Sequence, residues 1–217
     1  MYLQWCVWKE RNKRVWEQKF SQASDVALGA STRLAEFRVH NGKAGNISRN
    51  ASVIRWQRPS DGILKVNIDG AFLSTTRQGG LGFVIRDSNS SMLVGGAMPL
   101  RNLLSAEHAE ILACQAAVRF VLDHNMMPAV IETDSLLVKQ QAAINSSSNT
   151  SLLGRLYDDI SEVLRSIPNV QIIHTRREAN QVAHLLADHA KSLYREAFYV
   201  SAPSFLAAAL AADAITM

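Results

Sequence analysis

The sequence predicts an α/β fold, a mixed β-sheet with helices packed on its faces. Three strand-like runs follow one another between residues 63 and 98, joined by short polar links, as in an antiparallel meander. The period then changes, and helical and strand-like segments alternate as far as residue 193. The resulting order, β-β-β-α-β-α-α-β-α, is one a mixed sheet accommodates. The chain has 217 residues, 47% hydrophobic and 19% charged. That is a globular composition, with length enough for a sizeable core without disulfides or structural metal.

The elements are justified in order. Residues 1–20 place Trp5, Trp8, Val15, Trp16 and Phe20 loosely at helical spacing and read as a short amphipathic helix. Residues 21–60 are polar and lack a sustained period, so they read as a linker. Tryptophans at a chain start suggest the remnant of a longer packed unit. The run ILKVNIDGA alternates Leu64, Val66 and Ile68 with Lys65, Asn67 and Asp69, a half-buried strand closed by Asp69. GLGFVIRD and SMLVGGAM are the next two strands, linked by residues 88–90 as a hairpin. SAEHAEILACQAAVRFVLDHN is a long helix, with Ser105 as N-cap and Asn125 as stop. AVIET is a short buried strand. A helix from Asp134 to Ile144, a polar NSSSNTS loop and a helix from Leu152 to Ser166 follow. Val170 to Thr175 is the last strand and Ala179 to Leu193 the last helix. Residues 196–217 form an Ala-rich tail without legible chemistry, and no internal repeat is present.

Composition excludes several classes. No stretch approaches the roughly 20 apolar residues of a membrane span, and Lys9, Glu10 and Arg11 interrupt the start before a signal-peptide core can form. An intracellular location, nucleus or cytoplasm, is the expectation. The sequons at Asn46, Asn50, Asn89, Asn145 and Asn149 then carry no glycan. Cys6 and Cys114 fit no zinc or redox spacing and read as free thiols. Net charge is +4, but unevenly spread: residues 1–60 hold eleven Lys and Arg against four Asp and Glu, and residues 61–217 twelve against fifteen. The main region is therefore slightly acidic. If it binds nucleic acid, local cations must offset phosphate repulsion.

Three acidic residues occupy suggestive places. Asp69 ends the first strand, Glu110 sits in the first long helix, and Asp134 follows the fourth strand. Each also has an ordinary reading: Asp69-Gly70 as a turn pair, Glu110 as a solvated helix residue, Asp134 as a helix cap. Ala106, Ala109, Ala113 and Ala117 form a small-residue stripe on the helix, which suits close packing on a sheet and aims the neighbouring Glu110 at its edge. Phosphodiester hydrolysis needs an activated water and a stabilised leaving oxygen, and two divalent ions about 3.5–4 Å apart supply both. Hard cations take oxygen ligands, so clustered carboxylates and bound ions explain each other.

With these residues in view, the chain resembles the ribonuclease H type 1 superfamily. KVNIDGAF, GGLGFVIRD, SAEHAEILACQAAV, IETDS and HTRREANQVAHLLA look like that family's successive motifs, over residues 61–195. In detail they are similar to plant ribonuclease H-like domains of non-LTR retroelement reverse transcriptases and host proteins derived from them. WCVWKERNKRVW also looks like the stretch preceding such domains. The resemblance implies a five-stranded mixed sheet of order 3-2-1-4-5, helices on both faces, and endonucleolytic cleavage of RNA in RNA–DNA hybrids. It implies two Mg2+ or Mn2+ ions, no small-molecule cofactor and a monomer. By position Asp69, Glu110 and Asp134 match its first three catalytic carboxylates. Glu107 lies one turn before Glu110, but Ala109-Glu110-Ile111-Leu112-Ala113 fits the motif better.

The fourth family position, usually Asp, holds His184. An imidazole suits zinc or manganese better than magnesium, so one negative metal ligand is missing. Asp188, one turn on along the stripe of Gln181, His184, Lys191 and Arg195, leans towards His184 and is a candidate substitute, or else part of a solvated polar face. His174 and Arg177, at the end of the last strand, are candidates for proton transfer or phosphate contact, against plain strand-end polarity. Asn180 caps the last helix or orders this loop next to substrate. Gly70 and Gly80, with Gly79 and Gly82, would let backbone approach a sugar across a shallow minor groove, or else mark a bulge. No cluster of lysines forms a basic handle. Beside an active hybrid nuclease stand two alternatives, a non-catalytic nucleic-acid-binding module and a fragment without selected function.

Overall fold

The computed structural model describes residues 55–142 and 153–214. All belong to one unit, Ile54–Met217. The expected helix over 1–20, Cys6, the linker as far as residue 54 and the whole NSSSNTS loop lie outside the described residues. Six strands form one sheet: β1 (Leu64–Leu73), β2 (Gln78–Arg86), β3 (Met92–Leu100), β4 (Ala129–Thr133), β5 (Val170–His174) and β6 (Ala197–Tyr199). The helices are α1 (Ala106–Asp123), α2 (Leu136–Ala142), α3 (Gly154–Ser166), α4 (Gln181–Ala190) and α5 (Ala207–Ala214). The strand order is β5-β4-β1-β2-β3-β6, with β4 parallel to β1 and β5, and the other pairs antiparallel.

Local signals act where the sequence places them. The Ser105 hydroxyl accepts from the His108 N–H (3.1 Å) and caps α1. Asn125 ends that helix in the left-handed region at φ +52°, a conformation asparagine tolerates well. Between β2 and β3 the Asp87 carboxylate takes the N–H groups of Asn89 and Ser91 at 2.9 and 2.8 Å. Asp134 does not cap α2; the Ser135 hydroxyl accepts from Val138 instead.

The expectation of five strands is corrected to six. β6 pairs with β3 through Gly95–Tyr199, Gly96–Phe198 and Ala97–Ala197, inside the segment read as a tail. The folded unit also reaches beyond both ends of the 61–195 span: Trp56 is 1% exposed, and Leu206, just before α5, is buried.

Each sheet face carries its own core. Val66, Ile68, Leu81, Phe83 and Ile85 pack with α1 residues such as Ile111, Cys114 and Val118. Val84 and Ala97 pack with Val182, Leu186 and Ala190 of α4 and with Leu206. Cys114 is free and fully buried, and burial pushes its thiol up to about 12, so it is inert. Among the described residues no helix is long and apolar enough to cross a membrane.

The glycines explain how closely the helices sit. A Cβ at Gly70 would collide with the backbone of Ala109 and Glu110 in α1. One at Gly80 would meet Ala190 Cβ at 2.5 Å, and one at Gly82 would strike the backbone of Ala183 and Ala187. The room these residues leave is taken by helices, which corrects the reading of Gly70 and Gly80 as openings for a sugar. Gly70 is no turn either: β1 continues through it, paired with Leu81. Gly70→Ala is expected to cost about 1–3 kcal/mol by overpacking, read by denaturant unfolding. A loss below about 0.5 kcal/mol, the range of a neutral surface change, would show that α1 is not seated on Gly70.

Candidate metal centre

Three elements deliver the carboxylates. Asp69 lies in β1, 5% exposed, where the register sets it opposite Gly82. Glu110 stands in the second turn of α1, brought to β1 by the glycine contact next to it. Asp134 follows the last residue of β4, a strand parallel to and beside β1. One oxygen from each of Asp69, Glu110 and Asp134 lies within 4.8 Å of the others. That span is close to the roughly 4 Å diameter of an octahedral magnesium shell.

The electrostatics are those of a site short of positive charge. Glu110 Oε2 and Asp134 Oδ1 are buried without a hydrogen-bond partner. Burial first, then the charges of Asp69 and Asp134, push the Glu110 carboxyl up to about 9; the Gly70 N–H opposes this weakly. Asp134 is also raised, by burial and by Asp69, while its own backbone N–H and the positive Arg177 pull it down. Two orphaned buried oxygens in an all-oxygen set fit a hard divalent cation.

His184, from α4, joins the cluster by a different route. Its Nδ1 lies 2.8 Å from Asp69 Oδ2. A carboxylate accepts, so Nδ1 is the donor and Nε2 is left for another partner. The ring is one-third exposed while Asp69 is nearly covered, which places His184 at the rim.

Other expected residues go elsewhere. Asp188 is corrected as a metal ligand: it is exposed and pairs with Lys191, one turn further along α4. Lys191 lies as near along the helix as His184 and offers the charge an exposed carboxylate takes first. Glu107 accepts from the Tyr157 hydroxyl at 2.9 Å and lies outside the cluster. His174 is exposed at the end of β5, and Arg177 is exposed in the single 3-10 turn Arg177–Ala179. Asn180 is 1% exposed and makes no side-chain cap bond. It donates to the Ile68 carbonyl at 2.8 Å and accepts from Asn67 at 3.1 Å, so it is an internal brace and is not open to substrate. Sequence reasoning missed this group altogether. Lys65 and Asn67 read as the solvent face of a half-buried strand, yet they are 8% and 0% exposed.

The raised carboxyl has a consequence for pH. Without metal, Glu110 keeps its proton to about 9, whereas in the unfolded chain it titrates near 4.5. The native state binds the extra proton, so this contribution is present at low pH and is lost as pH rises from about 4.5 to 9. Glu110→Gln should flatten that slope and raise the metal-free melting midpoint at pH 8 by a few degrees. Thermal unfolding in chelator at pH 5 and pH 8 measures it, and equal slopes for variant and wild type would contradict it.

Known proteins share the fold. A family model described as reverse transcriptase-like matches residues 67–190. An Arabidopsis thaliana protein named as a ribonuclease H protein is 27% identical over 197 residues, covering 87% of this chain and 31% of that protein. The chain thus spans about a third of that relative's length. Among solved structures, RNase H1 of Halobacterium salinarum superposes with a TM-score of 0.54 at 24% identity, over 59% of this chain and 97% of that one. The N-terminal RNase H domain of a Mycobacterium tuberculosis protein gives 0.53 at 19% identity, over 59% and 93%. The fold is RNase H-like, and the chain belongs to the reverse transcriptase-like family.

Proposed function

We propose that this domain hydrolyses the RNA strand of RNA–DNA hybrids at a divalent-metal site held by Asp69, Glu110 and Asp134. The observation that carries the reading is the convergence of these three carboxylates, with two buried oxygens left unpartnered. Asp69, Glu110 and Asp134 would hold magnesium or manganese there, and a pair of such ions would supply the chemistry of water activation and leaving-oxygen stabilisation. The protein's part is preparatory. Glu110 gives up its proton as cations bind. His184 holds Asp69 by Nδ1 and keeps Nε2 for a ligand or a proton. Arg177, close enough to act on Asp134, offers a positive charge to a phosphate, and exposed His174 stands near the same strand end. The name carried by the Arabidopsis relative points the same way. The domain acts as a monomer in this reading.

A second reading, a nucleic-acid-binding module with little or no catalysis, is favoured by one feature. The fourth position contributes an imidazole already bonded to Asp69, and no fourth negative charge.

A labelled RNA–DNA hybrid incubated with magnesium or manganese separates the two. The nuclease reading expects cleavage that Asp69→Asn reduces by about a hundredfold or more, the scale of a lost charge-stabilising group. Product no greater than that of Asp69→Asn in both metals rejects it. His184→Asp, which restores a fourth carboxylate, is expected to raise magnesium-dependent cleavage about tenfold, as changes around metal ligands do. A gain from a wild type without measurable activity would favour the binding module.

A further inference from the structure

Beneath the carboxylate cluster lies a second, fully buried polar constellation. Lys65 Nζ is 2.9 Å from Glu132 Oε1. Asn67 Nδ2 donates to Glu132 Oε2 (2.9 Å) and to Asn180 Oδ1 (3.1 Å). Asn67 Oδ1 in turn accepts from Arg86 Nη2 at 2.8 Å, and Arg86 Nη1 reaches Asp213 Oδ2, in α5, at 2.7 Å. Asn180 Nδ2 closes the chain on the Ile68 carbonyl. All six side chains belong to residues at most 8% exposed. The Trp56 ring covers Arg86, with the guanidinium 3.6 Å from its centroid. Two cations and two anions make the set neutral.

Stability alone does not explain such a group. Buried ion pairs lose much of their attraction to desolvation, and apolar residues of similar volume often stabilise as well or better. The hydrogen bonds of this buried network fix geometry, although Arg86 Nε is left without a partner. Its members reach β1, β4 and the start of α4, beside Asp69, Asp134 and His184. Asn67 lies two residues before Asp69, and Asn180 grips the carbonyl immediately before it. Asn180 also follows Arg177 by three residues and precedes His184 by four, one helical turn. Movement of Arg86 would therefore reach the Asp69–His184 contact through only two amides.

Resting on the metal-site reading above, we propose that Asp213 of the C-terminal helix is a positioning residue for the metal centre. Acting through Arg86, Asn67 and Asn180, it sets where His184 meets Asp69. The segment beyond the last family motif is then part of the site, although none of its side chains belongs to the acidic cluster.

The test uses the full chain and manganese, whose free ion is read by electron paramagnetic resonance, with melting midpoints recorded in parallel. Asp213→Asn leaves Arg86 buried without its charge partner and is expected to lower the midpoint and weaken manganese binding together. Arg86→Met/Asp213→Leu removes both charges, so folding should survive, while the tie to Asn67 is cut. The expected result for this pair is a midpoint within a few degrees of wild type and manganese affinity down about tenfold, as for other residues that orient metal ligands. Asp213→Glu should recover most of the loss. In a His184→Ala background the same pair should cost little more, because both changes act on one contact. Wild-type affinity in the double variant, or an undiminished loss in the His184→Ala background, overturns the proposal. Wild-type protein that binds no manganese at all overturns the metal-site reading itself, and the two failures are distinguishable.

Discussion

The site exists because two helices lie closer to the sheet than side chains would ordinarily allow. At Gly70 the backbone of α1 fills the place of a Cβ, and at Gly80 and Gly82 the small residues of α4 do the same. With one layer of side chains missing, Glu110 and His184 arrive at β1 directly, from opposite faces. The 2.8 Å contact between His184 and Asp69 and the convergence of the three carboxylates both follow from that approach. The alanine stripe of α1 serves it too: Ala109, Ala113 and Ala117 are fully buried.

Close approach creates an electrostatic conflict. Three carboxylates share a small, partly covered space, and two of their buried oxygens have no donor. Protonation of Glu110 relieves the repulsion in the absence of metal, and cations relieve it better. The net charge of the domain says little about this, since field strength at the cluster depends on local burial. Arg177 supplies nearby positive charge from the exposed turn before α4.

The two faces of the sheet solve different problems. The α1 face is mainly apolar. The α4 face is apolar over β3 and most of β2 but polar over β1, β4 and the end of β2, where Lys65, Asn67 and Glu132 are joined by Arg86, Asn180 and Asp213. The polar half lies directly behind the strand that holds Asp69. Hydrogen bonds there define angles and separations that a greasy contact leaves loose.

Much of this was legible in the chain because the relevant forces are local. Ser105, Asn125 and the alternation of β1 act within a few residues, and the order of elements follows from them. The carboxylate triple was legible from position, since Asp134 follows a strand, Glu110 stands beside a small-residue stripe and Asp69 ends an alternating run; that β1 continues to Leu73, leaving Asp69 inside the strand, was not. Distant partners were not legible. Alternation says that the two faces of β1 differ; it does not say that Lys65 and Asn67 are covered, because their cover comes from Trp56, Asn180 and, through Arg86, Asp213, which is 127 residues beyond its partner. A strand as short as β6 carries no period, and it forms only because β3 offers an edge. The choice between His184 and Lys191 as the neighbour of Asp188 is likewise invisible to helical spacing, which permits both. Sequence by itself determined which segments between residues 63 and 193 curl or extend and the order in which the three acids occur along them. Tertiary structure decided which faces are wet, since burial depends on what the rest of the chain brings across.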